Sequence, residues 1–299
     1  MTIQKVALLG AEGNLGPSIL AALTSHGFDV TVLKRQSSKS GKKYPKQVTV
    51  PDGFAVKDLV GPLQGHDAAI IAIRSEDTDL QIRFADACVQ AGVTRLIPAD
   101  FGSVDSSSPL TQELVPLYKQ KTFVREHLIK LSQQNPTFTW TSLVCGHFFD
   151  WSLDFLHVNL PAHTIDILDD GEAQWSASTL SQIGEATARI LSRGEDITKN
   201  RMIYIQSFLI SQNQMVESFE RATGTKWTRK VFESEKYRVE EKRKADEGDK
   251  EANENLVWFL GAVDANWTLR EDFAMEDLGL EEEDFDATVK AVVAKFTGS

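Results

Sequence analysis

Cysteine is scarce in this 299-residue chain: Cys88 and Cys145 are its only two, and neither sits in a C-x-x-C pair. No thiolate metal site and no disulfide framework follow from such spacing, and both residues read as small buried apolar groups in a reducing compartment. Positive charge is also in deficit, with 32 Lys and Arg against 43 Asp and Glu, a net charge of −11 and a pI of about 5.1. That balance excludes a general nucleic-acid or anionic-membrane surface while leaving room for a local basic pocket. His147, His157 and His163 lack metal-ligand spacing with a carboxylate partner, so no metal site is expected. No apolar run is long enough to span a bilayer, and no basic-then-apolar leader precedes the first strand. The expectation is a soluble, cytoplasmic protein without internal repeats. Its apolar content of 41% suffices for a sizeable core in one large domain or a domain with a second lobe.

What is present begins at once. Gln4-Lys5-Val6-Ala7-Leu8-Leu9 reads as a short buried strand running into Gly10-Ala11-Glu12-Gly13-Asn14-Leu15-Gly16, and Pro17 opens a helix. A strand, a glycine-rich turn and a helix start together form an anion site, because glycine lets the backbone approach a diphosphate and the helix N–H groups point at it. Pro17 suits a first helical turn, where no N–H partner is needed. The spacing is G-x-x-G-x-x-G rather than the commoner G-x-G-x-x-G, so the flanking strand and helix carry the assignment. Gly10, Gly13, Asn14, Leu15 and Gly16 are the expected cofactor contacts.

The second strand, Asp29 to Leu33, ends in Lys34-Arg35-Gln36-Ser37-Ser38-Lys39. A carboxylate at this place would hold the ribose hydroxyls of NAD; a cation accommodates the extra phosphate of NADP. Arg35 is the expected 2′-phosphate ligand, since a guanidinium grips phosphate with two parallel bonds, and Ser37 or Lys39 assists. Val48 to Val50, the apolar run Asp67 to Ile73 and Val93 to Pro98 read as further strands, with helices over Thr78–Ala91 and Leu114–Gln133 and a sixth strand over Thr137–Val144. This alternation predicts an α/β doubly wound parallel sheet with right-handed crossovers, the Rossmann arrangement. Ligands of such sheets lie beyond the carboxyl ends of the strands, which places Ile73 and Phe101 beside the cofactor.

The combination of Gly10–Gly16, the Arg35 strand end, Pro98-Ala99-Asp100-Phe101-Gly102 and the Lys121 helix resembles the isoflavone reductase-like branch of the atypical short-chain dehydrogenases, within the NmrA-like superfamily. The likeness covers the first half well and the second half loosely. Lys121, four residues before Arg125, matches the lysine this family places beside the nicotinamide as a general acid or base. The resemblance therefore implies a catalytic Lys121. A desolvated lysine has a lowered pKa and exchanges protons nearer neutrality, and its ammonium stabilises developing negative charge. Lys119, two residues off, is the rival on another helix face. The Tyr-x-x-x-Lys dyad of typical short-chain dehydrogenases is absent: Tyr118 precedes Lys121 by three, and Leu117 stands at the fourth position.

The first 150 residues are thus expected to form the NADP-binding domain, with a return to the sheet around 176–207, and residues 151–299 mainly a smaller mixed α/β substrate-binding lobe. There, Ile165–Leu168 and Ala173–Ser176 flank Asp169-Asp170-Gly171-Glu172 as a hairpin. Glu233–Glu251 reads as one solvated charged helix, and Leu256–Val263 as an apolar stretch that caps the cleft. The aromatic run from Gly146 to Trp151 suggests an apolar pocket, with His147 and Phe148 as substrate contacts. The expected activity is an NADPH-dependent reduction of an apolar, aromatic or polyketide-like small molecule by a monomer or homodimer, without nucleic-acid or membrane partners. The alternatives are an NmrA-like NADP-binding redox sensor that performs no chemistry, and a nucleotide-binding scaffold with a dead site.

Overall fold

A computed structural model describes residues 2–74, 77–193 and 195–298. The first half runs β1 (Lys5–Leu9), α1 (Gly16–Ser25), β2 (Asp29–Arg35), β3 (Gln47–Val50), α2 (Val56–Leu63), β4 (Ala68–Ile71), α3 (Thr78–Ala91), β5 (Arg95–Ile97), α4 (Pro109–Leu114), α5 (Pro116–Gln134) and β6 (Thr139–Val144). The second half adds β7 (His147–Phe148), β8 (Val158–Asn159), β9 (Thr164–Leu168), β10 (Gln174–Ser178), α6 (Leu180–Ser192), α7 (Glu195–Thr198), β11 (Arg201–Tyr204) and β12 (Phe208–Ser211). It closes with α8 (Gln212–Thr223), β13 (Thr228–Phe232), α9 (Ser234–Asp246), α10 (Lys250–Val263), a 3-10 turn at Trp267–Leu269, α11 (Met275–Leu278) and α12 (Phe285–Thr297).

Seven strands form one sheet in the order β11-β6-β5-β4-β1-β2-β3, every neighbouring pair parallel. The expected doubly wound sheet is therefore present. The chain works outward from β1 through β2 and β3, then returns to β4 on the other side. The order reverses between β1 and β4, which is where such sheets open a crevice for ligands. Strand residues alternate between the two faces. Val6 and Leu8 enter one core with Ile19, Leu23, Ile183 and Ala186, whereas Ala7 and Leu9 enter another with Leu59, Phe84 and Leu128. Burial on both faces is why β1 and β4 read as unbroken apolar runs. At the sheet edge β11 pairs with β6, and α6 packs on α1.

Three expectations are corrected. The helix expected over Leu114–Gln133 starts two residues later, as α5 at Pro116, and a separate short helix, α4, precedes it; Val115 between them is extended, with φ −128° and ψ 107°. Pro116 is the cause, because its ring drives the preceding residue out of the helical region and it cannot donate an N–H. Residues 165–176 are not a hairpin. β9 joins a sheet of order β13-β9-β8, and β10 joins another of order β12-β10-β7. The turn between them is instead a corner held by α8: the Leu168 N–H donates to Gln212 Oε1 at 2.8 Å and the Asn213 N–H donates to the Gly171 carbonyl at 3.1 Å. Both strands bury their inward side chains in the same second-lobe core, with Phe149, Trp175, Phe208, Phe219 and Trp258. Finally, the charged helix breaks at Gly248, whose φ of +94° is left-handed, so that its apolar continuation forms α10.

Among the described residues no helix is long and apolar enough to cross a membrane.

The α1–α6 contact depends on Gly184. A Cβ there would lie 2.5 Å from the Ser18 carbonyl oxygen. Gly184→Ala is expected to force the two helices apart and destabilise the fold by about 1–3 kcal/mol, against the small gain that alanine brings to an open helix. Urea unfolding should show a lower midpoint; an unchanged or higher one would contradict this packing.

Candidate active site

The turn after β1 is shaped by backbone approach. Gly10 has φ +95°, and a Cβ on it would stand 2.3 Å from the Ala72 carbonyl oxygen at the end of β4. A Cβ on Gly16 would stand 2.0 Å from the Gly10 carbonyl oxygen. These two glycines are thus required by the turn itself. Gly13 differs: its nearest neighbours would be at 3.5 Å, an ordinary contact, and it lines both cavities described next. Its missing side chain keeps that wall flat for a ligand. Leu15 caps α1 without any side-chain hydrogen bond, which leaves the helix N-terminus to serve an anion.

Two cavities meet at Gly13, Ala72, Ile73 and Arg74. The first, about 310 Å³, lies between the turn and the end of β2 and includes Gly10, Glu12, Lys34, Arg35 and Ser38. Arg35 is exposed at its rim. Lys34 is held inside: its ammonium donates to Glu12 Oε1 at 3.0 Å and to the carbonyls of Ser40 and Lys42 at 2.7 and 2.8 Å. Burial works against the Glu12 charge, but hydrogen bonds from Lys34, Ser40 and Ser38 and the Lys34 charge hold its carboxyl below the usual range. Ser37, expected to assist Arg35, instead donates to Asp52 Oδ1 at 2.6 Å, and Ser38 takes the place on the cavity wall.

The second cavity, about 390 Å³, joins Gly13, Asn14, Leu15, Ile73 and Phe101 from the sheet side to Lys121 on α5, Phe148 and Trp151 beyond β6, and Val257 on α10. On α5, Tyr118, Lys121, Arg125 and Leu128 share the buried face. Lys121 is only 6% exposed, and its ammonium lies 3.7 Å from Asp100 Oδ1. The closer partner of that carboxylate is Arg125, at 2.7 Å from Oδ2, and Arg125 also donates to Ser106 Oγ at 2.6 Å. Asp100 therefore spends its best hydrogen bond on Arg125 and offers Lys121 a looser attraction. Burial lowers the Lys121 pKa, with Arg125 adding to the effect, and Asp100 opposes them. Burial pushes the neighbouring Cys145 thiol up to about 12, so it supplies no negative charge to Lys121 near neutral pH. A Cβ on Gly102 would lie 2.7 Å from Lys121 Nζ, so a side chain there would displace the ammonium.

The NmrA-like family model matches residues 2–241. The chain belongs to the NmrA-like family. The oxidoreductase aprR of Aspergillus flavus is 36% identical over 232 residues, covering 76% of each chain. A bifunctional pinoresinol-lariciresinol reductase of Linum usitatissimum is 25% identical, over 78% of this chain and 79% of the relative. In fold, this NmrA-like chain is similar to the structure of AtPrR2 with NADP+ and (+)pinoresinol, with a TM-score of 0.77 at 19% identity over 98% of this chain and 99% of the other. It is also similar to the binary complex of leucoanthocyanidin reductase with NADPH from Vitis vinifera, with a TM-score of 0.73 at 16% identity over 97% and 99%.

Of the expected site residues of this NmrA-like protein, Gly10, Gly13, Asn14, Leu15, Arg35, Ile73, Phe101, Lys121 and Phe148 line the paired cavities. Gly16 supports the turn from beneath. Lys119 is exposed, away from the cavity. His147 is a correction: it is not at the cavity but inside the second lobe, 1% exposed, edge-on to Phe155 and Trp175 with ring centroids 5.1 and 5.6 Å away. Its Nε2 faces the Trp258 carbonyl at 3.2 Å, and burial pulls its pKa down to about 4, so it stays neutral. The aromatic density around it belongs to packing. Missed at the site were Glu12, Arg74, Leu117, Trp151 and Val257. Arg74 carried a signal, as the first charge after the apolar β4 run; Val257 carried none, because only the packing of α10 brings it there.

The Lys121 environment predicts a titration below the ordinary lysine value of about 10.4. Its protonated form should fade as pH rises through that lowered value. Asp100→Asn removes the carboxylate that opposes the shift and should move the titration lower still. Acetylation of Lys121 as a function of pH, read by peptide mass spectrometry, measures both; a titration that stays put in Asp100→Asn would refute the coupling.

Proposed function

We propose that this NADPH-dependent oxidoreductase reduces an apolar, aromatic or polyketide-like small molecule, with Lys121 supplying or orienting the proton. The observation that carries the reading is the unbroken wall from Arg35 to Lys121: the two cavities share Gly13 and Ile73, and the wall ends at a buried ammonium. NADPH, when bound, supplies the hydride. Gly13 and the α1 N-terminus suit its diphosphate, Arg35 its 2′-phosphate, and Phe101, Ile73 and Leu15 offer an apolar seat for its ring. Lys121 then faces the end of the cavity where negative charge develops on a reduced substrate, and a desolvated ammonium stabilises that charge more than an exposed one. Leu117, Phe148, Trp151 and Val257 supply the apolar contacts for the substrate.

A larger cavity of about 870 Å³ shares Arg74 and Trp151 with the Lys121 cavity and continues into the second lobe past Phe155, His157 and Tyr237. Its lining is largely polar and charged, with Asp154, Asp166, Lys230, Glu251 and Glu254, so the apolar contacts for a substrate come from the Lys121 cavity. Burial of Lys121 also weighs for an enzyme over a nucleotide sensor. Holding a lysine away from water costs several kcal/mol before its partners offset it, and a sensor that only binds nucleotide gains nothing from that cost.

An NADPH-oxidation screen over aromatic enones, ketones and imines should reveal turnover. Lys121→Ala is expected to lower kcat by about a hundredfold or more while NADPH affinity changes by less than about threefold. Full activity in that variant would remove Lys121 from the chemistry. NADPH should bind at least about tenfold more tightly than NADH, and Arg35→Ala should erase most of the difference. Equal affinities in the unaltered protein would overturn the Arg35 assignment.

A further inference from the structure

We propose that Lys34 secures the preference for the phosphorylated nucleotide without touching it, by neutralising Glu12, the one carboxylate among the described residues on the wall of the Arg35 cavity. The inference rests on the cofactor reading above. Glu12, Lys34, Arg35 and Ser38 line the same 310 Å³ space. A carboxylate there is a hazard for NADP binding. It sits in the glycine turn, beside the end of β2, where a phosphate dianion is to be accommodated, and like charges in a partly desolvated pocket repel strongly. The same carboxylate, left unpaired, would suit the two ribose hydroxyls of NAD.

The geometry answers that hazard with a built pair. The Lys34 ammonium is only 12% exposed and uses its three donors on Glu12 Oε1, the Ser40 carbonyl and the Lys42 carbonyl, at 3.0, 2.7 and 2.8 Å. With three donors on an ammonium, none is left over for a ligand. Ser38 Oγ approaches the second Glu12 oxygen at 3.3 Å, so both carboxylate oxygens are engaged from the β2 side. Of the two adjacent cations at the end of β2, one is therefore spent inside the protein, and Arg35 remains exposed at the rim for the phosphate. Lys34 is a positioning and neutralising residue; Arg35 is the binding residue.

A double-mutant cycle on the full chain separates this role from its rivals. The readout is the affinity for NADPH and for NADH by isothermal titration calorimetry. Lys34→Met is expected to weaken NADPH by about tenfold and NADH by less than about threefold, because both nucleotides carry the diphosphate but only NADPH adds the phosphate dianion at the β2 side, where Glu12 is freed. Glu12→Gln alone should leave NADPH affinity unchanged or raise it. Glu12→Gln combined with Lys34→Met should restore NADPH affinity to within about threefold of the starting protein, since no uncompensated charge remains. A double variant as weak as Lys34→Met would mean that Lys34 meets the phosphate itself. Parallel losses for both nucleotides in Lys34→Met would mean that the pair is only a loop staple. Either result overturns the proposal while leaving the cofactor reading intact; an unaltered protein without NADPH preference would instead defeat the cofactor reading first.

Discussion

The close approach of Gly10 to the Ala72 carbonyl is the constraint on which the site depends. β1 and β4 are hydrogen-bonded neighbours, yet the chain leaves them towards opposite halves of the sheet, and the crevice opens where they part. The backbone can turn there only because nothing projects from Gly10 or Gly16, where a Cβ would collide with carbonyl oxygens at 2.3 and 2.0 Å. The same tightness brings Gly13 and Ile73 to one wall. In the proposed reading a bound nucleotide runs along that wall from Arg35 to Lys121, and any bulge in the turn would interrupt it.

At the far end, electrostatics rather than sterics sets the arrangement. Asp100, Arg125, Ser106 and Lys121 form a compact polar group beneath the Lys121 cavity, and the tight Asp100–Arg125 pair anchors it. Asp100 gives its closer contact to Arg125, which also feels the Asp105 charge, and it compensates Lys121 only from 3.7 Å. That is an unfavourable state for a structural lysine and a useful one for proton exchange. The balance exists because Pro116 restarts the helix at α5, in the register that turns Tyr118, Lys121 and Arg125 to one side. The second lobe completes the cavity by docking α10, whose Val257 reaches the cavity while Trp258 and Leu256 remain in the lobe core.

Much of this was legible in the chain itself. The alternation of β-branched runs and helical spacing is local physics, and the parallel sheet follows from it with its crossovers. Gly92 and Gly224 end their helices in left-handed conformations as their positions suggest, and Ser211 caps α8: its Oγ accepts from the Gln214 N–H, and its own N–H donates to Gln214 Oε1. That Arg35 and Lys121 line the paired cavities was foreshadowed, since one ends a strand and the other matches a family position. The failures share a cause. The turn at 169–172 has sound hairpin chemistry, but Gln212 and Asn213 claim its backbone groups from 40 residues away in sequence. His147 sits among aromatics, which in a sequence serve equally as pocket and as core.

The sequence by itself determined the sheet, the glycine turn, the cationic end of β2 and the lysine helix, since each depends on residues within a few positions of one another. Only the tertiary structure decided that Asp100 is shared unequally between Lys121 and Arg125, that Glu12 consumes Lys34, and that Val257 lines the Lys121 cavity. Those are pairings between distant segments, and charge balance and packing between distant segments leave no periodic trace along the chain.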